Sequence, residues 1–126
     1  QKSLSLFPES GGQIINTSSM SGHRVPPTGG FYSPTKFAVR GISDALRYEL
    51  RADGNPTRVA TVSPGFVDTP LLDHYFKDRE DQLAETRASI RMLQPEDVAA
   101  SVLHILNTPL HVEITDIQMR SVDQKA

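Results

Sequence analysis

A tyrosine at position 32 and a lysine at position 36 stand four residues apart, where helical periodicity begins. On an α-helix that spacing places both side chains on one face. An ammonium within a few Å of a phenol favours its ionised form, which otherwise appears only near a pKa of about 10. Such a pair can pass a proton near neutral pH. Lys36 would fall in the first turn, where the helix dipole favours anions, so a negative partner nearby would offset its placement. An isolated Y-x-x-x-K is a weak signal, because most instances are a packed ring and a solvated lysine.

Ser19 raises the specificity. It directly follows a predicted buried strand and precedes Tyr32 by thirteen positions. Strand tips in open α/β sheets are where ligands bind, and a serine there can donate to a carbonyl or accept from an alcohol. A hydroxyl that only caps the strand end is the alternative, above all at Ser18 or Ser21. A second strand ends in Ser63-Pro64-Gly65-Phe66-Val67-Asp68-Thr69-Pro70. Glycine lets a ligand approach the backbone, and proline stiffens the turn. Behind a buried strand, this segment reads as a binding loop.

The elements that must position these residues follow from periodicity and breakers. Gln1 to Phe7 reads as the tail of a helix, ended by Pro8 and Gly11-Gly12. Gln13 to Ser18 is a short buried strand, and the Gly-, Pro- and Ser-dense run Ser21 to Gly30 is a loop. A helix is predicted from about Phe31 to Ala52, with Val39, Ile42, Leu46 and Leu50 as its apolar stripe. Pro34 is tolerated in its first turn, and Asp53-Gly54-Asn55-Pro56 ends it. Arg58 to Ser63 is the second strand. Thr69 to Ser89 holds charged helical pieces, with Lys77 to Glu85 a solvated face. Pro95 opens a helix that buries Val98, Val102, Ile105 and Leu106, and Val112 to Met119 is the last strand. Strands separated by long helices imply parallel pairing through right-handed crossovers, an α/β fold.

Composition narrows the function classes. The 126 residues suit one domain, and 37% hydrophobic with 22% charged residues is ordinary for a globular chain. A net charge of −2 gives no footprint for nucleic acid or an acidic membrane. The chain has no cysteine, which excludes disulfides and thiolate metal sites and fits a cytoplasmic setting. No apolar run reaches transmembrane length, and QKSLSLFPES lacks the pattern of a signal peptide. His23, His74, His104 and His111 lack ligand-like spacing and read as loop or surface residues, so no metal site is expected. Phe66, Leu71, Leu72, Tyr75 and Phe76 are either ordinary helix packing or an apolar lid over a substrate.

Taken in order, Asn16-Thr17-Ser18-Ser19, Gly22, Tyr32-Ser33-Pro34-Thr35-Lys36 and Ser63 to Thr69 resemble the signature of the short-chain dehydrogenase/reductase family. Met20 to Val25, Phe31-Tyr32, Lys36 to Val39 and Asp116 to Arg120 are similar to the subgroup of member-eleven dehydrogenase/reductases and insect farnesol dehydrogenases. The resemblance implies a Rossmann-like, doubly wound parallel sheet, with residues 1–126 forming the C-terminal part of one NAD(P)-binding domain. It implies Ser19, Tyr32 and Lys36 as the catalytic residues. Tyr32 and Lys36, with Pro64, Gly65, Val67 and Thr69, would meet the nicotinamide end of NADP(H), NAD(H) remaining open. The implied reaction interconverts a lipophilic alcohol and a carbonyl, in a homodimer or homotetramer. The family's glycine-rich pyrophosphate turn and its upstream asparagine are missing from these residues. The chain therefore reads as a fragment expected to be inactive alone. A truncated, non-catalytic product that acts by pairing with other subunits is the alternative.

Overall fold

The computed structural model describes residues 4–27 and 29–125. Three strands form one sheet in the order β1 (Gln13–Thr17), β2 (Arg58–Pro64), β3 (Asp116–Met119), and both pairings are parallel. Ile15 stands opposite Ala60, and Val62 opposite Ile117. Helix α1 (Tyr32–Ala52) connects β1 to β2. Three helices, α2 (Leu71–Tyr75), α3 (Glu80–Ser89) and α4 (Pro95–Leu106), lie between β2 and β3. The architecture is α/β and Rossmann-like, as the sequence predicts.

All seven residues of β2 are buried, which requires cover on both faces of the sheet. Alternate side chains point to opposite faces, and the two faces differ in chemistry. Ala60 and Val62 turn toward α4, where Ile105, 1% exposed, closes a core with Ile15, Val98, Val102, Ile117 and Met119. Thr61 and Ser63 turn the other way, toward polar neighbours. On that face Asn16 donates to Ser43 Oγ of α1 at 2.9 Å, and Ser43 in turn donates to the Val39 carbonyl. A second small core gathers Leu72, Phe76, Leu83 and Met92.

Local chemistry fixes the ends of the elements. Gly54 adopts φ +67° after α1, and the Asn55 N–H reaches back to the Leu50 carbonyl at 2.8 Å. That is the left-handed C-terminal stop expected of glycine. Pro95 opens α4, where the Asp97 carboxylate accepts the Gln94 N–H at 2.8 Å.

Several sequence expectations are corrected. Residues 1–3 of the expected helix tail lie outside the described residues, and Leu4–Leu6 forms a 3-10 turn. The expected loop from Ser21 contains the end of a 3-10 turn, Met20–Gly22, while Thr28 lies outside the described residues. Ile42 is 64% exposed, because α1 turns Ser33, Ser43 and Leu50 inward instead. Leu106 is 48% exposed, although its neighbour Ile105 is buried against Ala60 and Val62 of the sheet. The last strand starts at Asp116 rather than Val112. Its approach is claimed by side chains: Glu113 accepts the Val59 N–H at 2.8 Å, and Arg58 Nη1 donates to the Thr108, Pro109 and Val112 carbonyls.

Ile105 sits where α4 meets the apolar face. Ile105→Ala should lower unfolding stability by about 2–5 kcal/mol, the range for emptying a close-packed aliphatic site. Urea denaturation followed by circular dichroism measures it, and a loss below about 1 kcal/mol would contradict this packing.

Candidate active site

The C-terminal ends of β1 and β2 open into one cleft of about 1230 Å³. Ser19, Tyr32, Lys36, Pro64, Gly65, Val67 and Thr69 all line it, so the seven residues singled out in the sequence share one site. Parallel pairing is the cause, because it brings the exits of both strands to the same sheet edge.

Tyr32 is the first residue of α1, and Lys36 follows one turn later. Lys36 Nζ stands 5.5 Å from the centre of the Tyr32 ring and donates to the Thr17 carbonyl at 3.2 Å. Burial pushes the Lys36 pKa below its ordinary value. The Thr17 carbonyl supplies partial negative charge where the helix dipole alone would disfavour a cation.

Ser19 caps the 3-10 turn Met20–Gly22, its Oγ accepting the Ser21 N–H at 3.1 Å. The same hydroxyl donates to the Pro64 carbonyl at 3.4 Å, a long bond that leaves it easily diverted to a ligand. Its neighbour Ser18 is buried and donates to the Lys36 carbonyl at 3.1 Å. Both serines line the cleft, but the Ser18 hydroxyl is committed to α1, while the Ser19 hydroxyl donates only through the long bond to Pro64. The turn presses against α1 at Gly22, where a Cβ would meet Ser18 Oγ at 2.7 Å and the Lys36 carbonyl oxygen at 2.8 Å. A glycine is required there by contact alone.

The Pro64–Thr69 loop is held at three points. The Gly65 N–H donates to the Met119 carbonyl at 2.7 Å, the Phe66 N–H to Gln124 Oε1 at 3.0 Å, and the Asp68 N–H to the Leu93 carbonyl at 2.9 Å. Gln124 was invisible to sequence reasoning, because it lies in a polar tail fifty-eight residues from its partner. Tyr75 makes an edge-to-face contact with Tyr32 at 5.4 Å and packs on Phe66 and Phe76. The apolar residues after the loop therefore build a core with its Tyr75 side turned into the cleft.

His23 lies in the loop as expected, but its side chain is turned in from the surface, only 15% exposed. Its Nε2 stands 3.1 Å from Asp116 Oδ2 and 3.1 Å from Ser63 Oγ. A carboxylate only accepts, so Nε2 carries the hydrogen. Ser63 donates to Asp116 Oδ1 at 2.8 Å, and Thr61 Oγ1 contacts the same oxygen. Burial, then the nearby Arg40 guanidinium, pushes the His23 pKa below its ordinary value, outweighing the opposing pull of Asp116.

A family model described as enoyl-(acyl carrier protein) reductase matches residues 1–114. Dehydrogenase/reductase SDR family member 11 of Homo sapiens is 44% identical over 115 residues, covering 90% of this chain and 44% of that protein. The Bos taurus protein of the same name is also 44% identical, with 45% of its length covered. The chain thus spans a little under half the length of these relatives. Among solved structures, a closed form of serine dehydrogenase complexed with NADP+ superposes with a TM-score of 0.83 at 33% identity, over 93% of this chain and 47% of that one.

The lowered His23 pKa gives a stability signature. The unfolded chain takes up the proton near pH 6.5, the folded protein only at lower pH. Between the two values the unfolded state holds the extra proton, so stability falls as the pH drops below about 6.5. His23→Gln cannot titrate and should lose less stability than wild type between pH 7.5 and pH 5. Parallel urea midpoints for the two proteins would rule the effect out.

Proposed function

The chain belongs to the short-chain dehydrogenase/reductase family, and from that premise we propose that it forms the C-terminal, reacting part of an NADP(H)-dependent enzyme interconverting an alcohol and a carbonyl. The observation that carries this reading is the convergence of Ser19, Tyr32 and Lys36 on one cleft with the Pro64–Thr69 loop. The cleft fits the nicotinamide end of a cofactor. Its wall at Pro64 to Val67 is largely backbone pinned from behind, and Lys36 has donors beyond the one given to Thr17. Bound there, the cofactor supplies the hydride chemistry.

The protein's own residues do the rest. Ser19 Oγ orients the substrate oxygen by hydrogen bonding. Tyr32 gives that oxygen a proton in reduction and takes it in oxidation. Lys36 stabilises the ionised phenol and holds the nicotinamide ribose. The apolar wall formed by Met20, Val25, Phe66, Leu71 and Tyr75 favours a lipophilic substrate of the isoprenoid or steroid class. The NADP+ bound by the serine dehydrogenase neighbour supports NADP(H), with NAD(H) a competitor to be measured.

We place the enzyme in the cytoplasm as a homodimer or homotetramer. Among the described residues no helix is long and apolar enough to cross a membrane. Phe37 and Tyr48 are exposed on one face of α1, and this apolar pair supports pairing between subunits.

Tyr32→Phe removes one hydroxyl. In the whole enzyme it should cut kcat by about 10²-fold or more while cofactor affinity survives. The assay is NADP+-dependent oxidation of a panel of farnesol, a hydroxysteroid and serine, and near-normal turnover of the best substrate would overturn the assignment.

Lys36→Met keeps the apolar stem and deletes the cation. At saturating NADP+, kcat for oxidation should fall about 10-fold or more, because the cation beside the Tyr32 ring is gone. An unchanged kcat with weaker cofactor binding would reduce Lys36 to a binding residue.

A further inference from the structure

The His23, Ser63, Asp116 and Thr61 cluster is left unused by the proposed chemistry. It holds the three residue types of a hydrolytic triad, but the geometry excludes that use. One nitrogen, Nε2, faces both the serine and the carboxylate, whereas a triad needs the two ring nitrogens to face one each. Ser63 is also completely buried, so no substrate reaches its hydroxyl.

The cluster instead joins three parts of the site. Asp116 opens β3, Ser63 precedes the Pro64–Thr69 loop, and His23 ends the turn that Ser19 begins. We propose that His23 is a positioning residue for the reaction, its Nε2–H tying the Ser19 turn to the end of β2 and the start of β3. The inference rests on the reading of Ser19, Tyr32 and Lys36 given above.

Connectivity carries it. The His23 N–H donates to the Met20 carbonyl at 3.0 Å, and the Gly22 N–H to the Ser19 carbonyl at 2.8 Å. His23 and Ser19 thus belong to one hydrogen-bonded turn, and a shift of the ring is passed to the serine. On the α1 side Arg40 Nη1 donates to the Gly22 carbonyl at 2.8 Å, which fixes the turn from the opposite flank. Residues 17–21 and 24–27 line the cleft, but His23 does not. Its ring points away from the reacting atoms, so it acts through Ser19. A serine that must meet a substrate oxygen within hydrogen-bond reach is sensitive to small displacements, since about 1 Å costs up to about 10²-fold in rate.

The test uses His23→Gln, His23→Asn and His23→Phe in the whole enzyme. Glutamine places an N–H donor close to the position of Nε2, asparagine is too short to reach Asp116, and phenylalanine keeps ring volume without a donor. The probe is NADP+ with whichever alcohol of the farnesol, hydroxysteroid and serine panel wild type oxidises fastest. Expected is a kcat about 10-fold or more below wild type for Asn and Phe, with recovery to within about 3-fold in Gln. NADPH affinity, read by its fluorescence, should stay within about 2-fold throughout. If Phe fails to fold, Gln against Asn makes the same comparison. The inference is overturned if every variant keeps wild-type kcat, or if Gln is no better than Asn at matched thermal midpoints. Tyr32→Phe runs beside them. If it turns over normally, the reading of the site fails and this inference with it; if it is inactive while the His23 variants are normal, only this inference fails.

Discussion

The whole arrangement hangs on β2, a strand with every residue buried and a parallel partner on each side. A backbone so placed must satisfy all its N–H and C=O groups within the protein, and β1 and β3 do most of this. Parallel pairing then has a geometric result. The residues that follow β1 and those that follow β2 emerge at one edge. An antiparallel β1 would put Ser19 and Pro64 at opposite ends of the sheet, and no cleft would join them.

The parts legible in the sequence were those set by local chemistry. The four-residue step from Tyr32 to Lys36, the stop at Gly54, and the proline that opens α4 are decided by neighbours in the chain. So are the two strands with their β-branched residues, although only β2 is buried as expected and β1 is half-buried. What escaped was decided by distant partners. The inward face of α1 was misread because the sheet offers a polar partner there: Ser43 is buried against the Asn16 amide, while Ile42 is left exposed. The start of β3 was placed too early because Glu113 substitutes a side-chain acceptor for a backbone one. His23 and Gln124 meet partners forty residues away or more, and nothing beside them in the sequence announces it.

Lys36 shows how several demands fall on one residue. Its carbonyl accepts from Ser18, and its ammonium both donates to Thr17 and faces the Tyr32 ring. Burial works against the charge, and the start of a helix works against it again. Both costs fall at the position where the proposed reaction would use a cation beside a phenol, and broken local rules are expected at functional sites.

The unlike faces of the sheet set unlike tolerances to change. Beneath α4 the contacts among Ile15, Val62, Ile105 and Ile117 are non-directional, and swaps that conserve volume cost less than about 1.5 kcal/mol. Beneath α1 the contacts are directional, and a buried donor or acceptor that loses its partner costs about 1–3 kcal/mol. Asn16 is therefore tied to Ser43, and Thr61 and Ser63 to Asp116, so a change at one partner strands the other. Sequence drift in this fold is free to run on one side of the sheet, while the other side holds the register of the chemistry still.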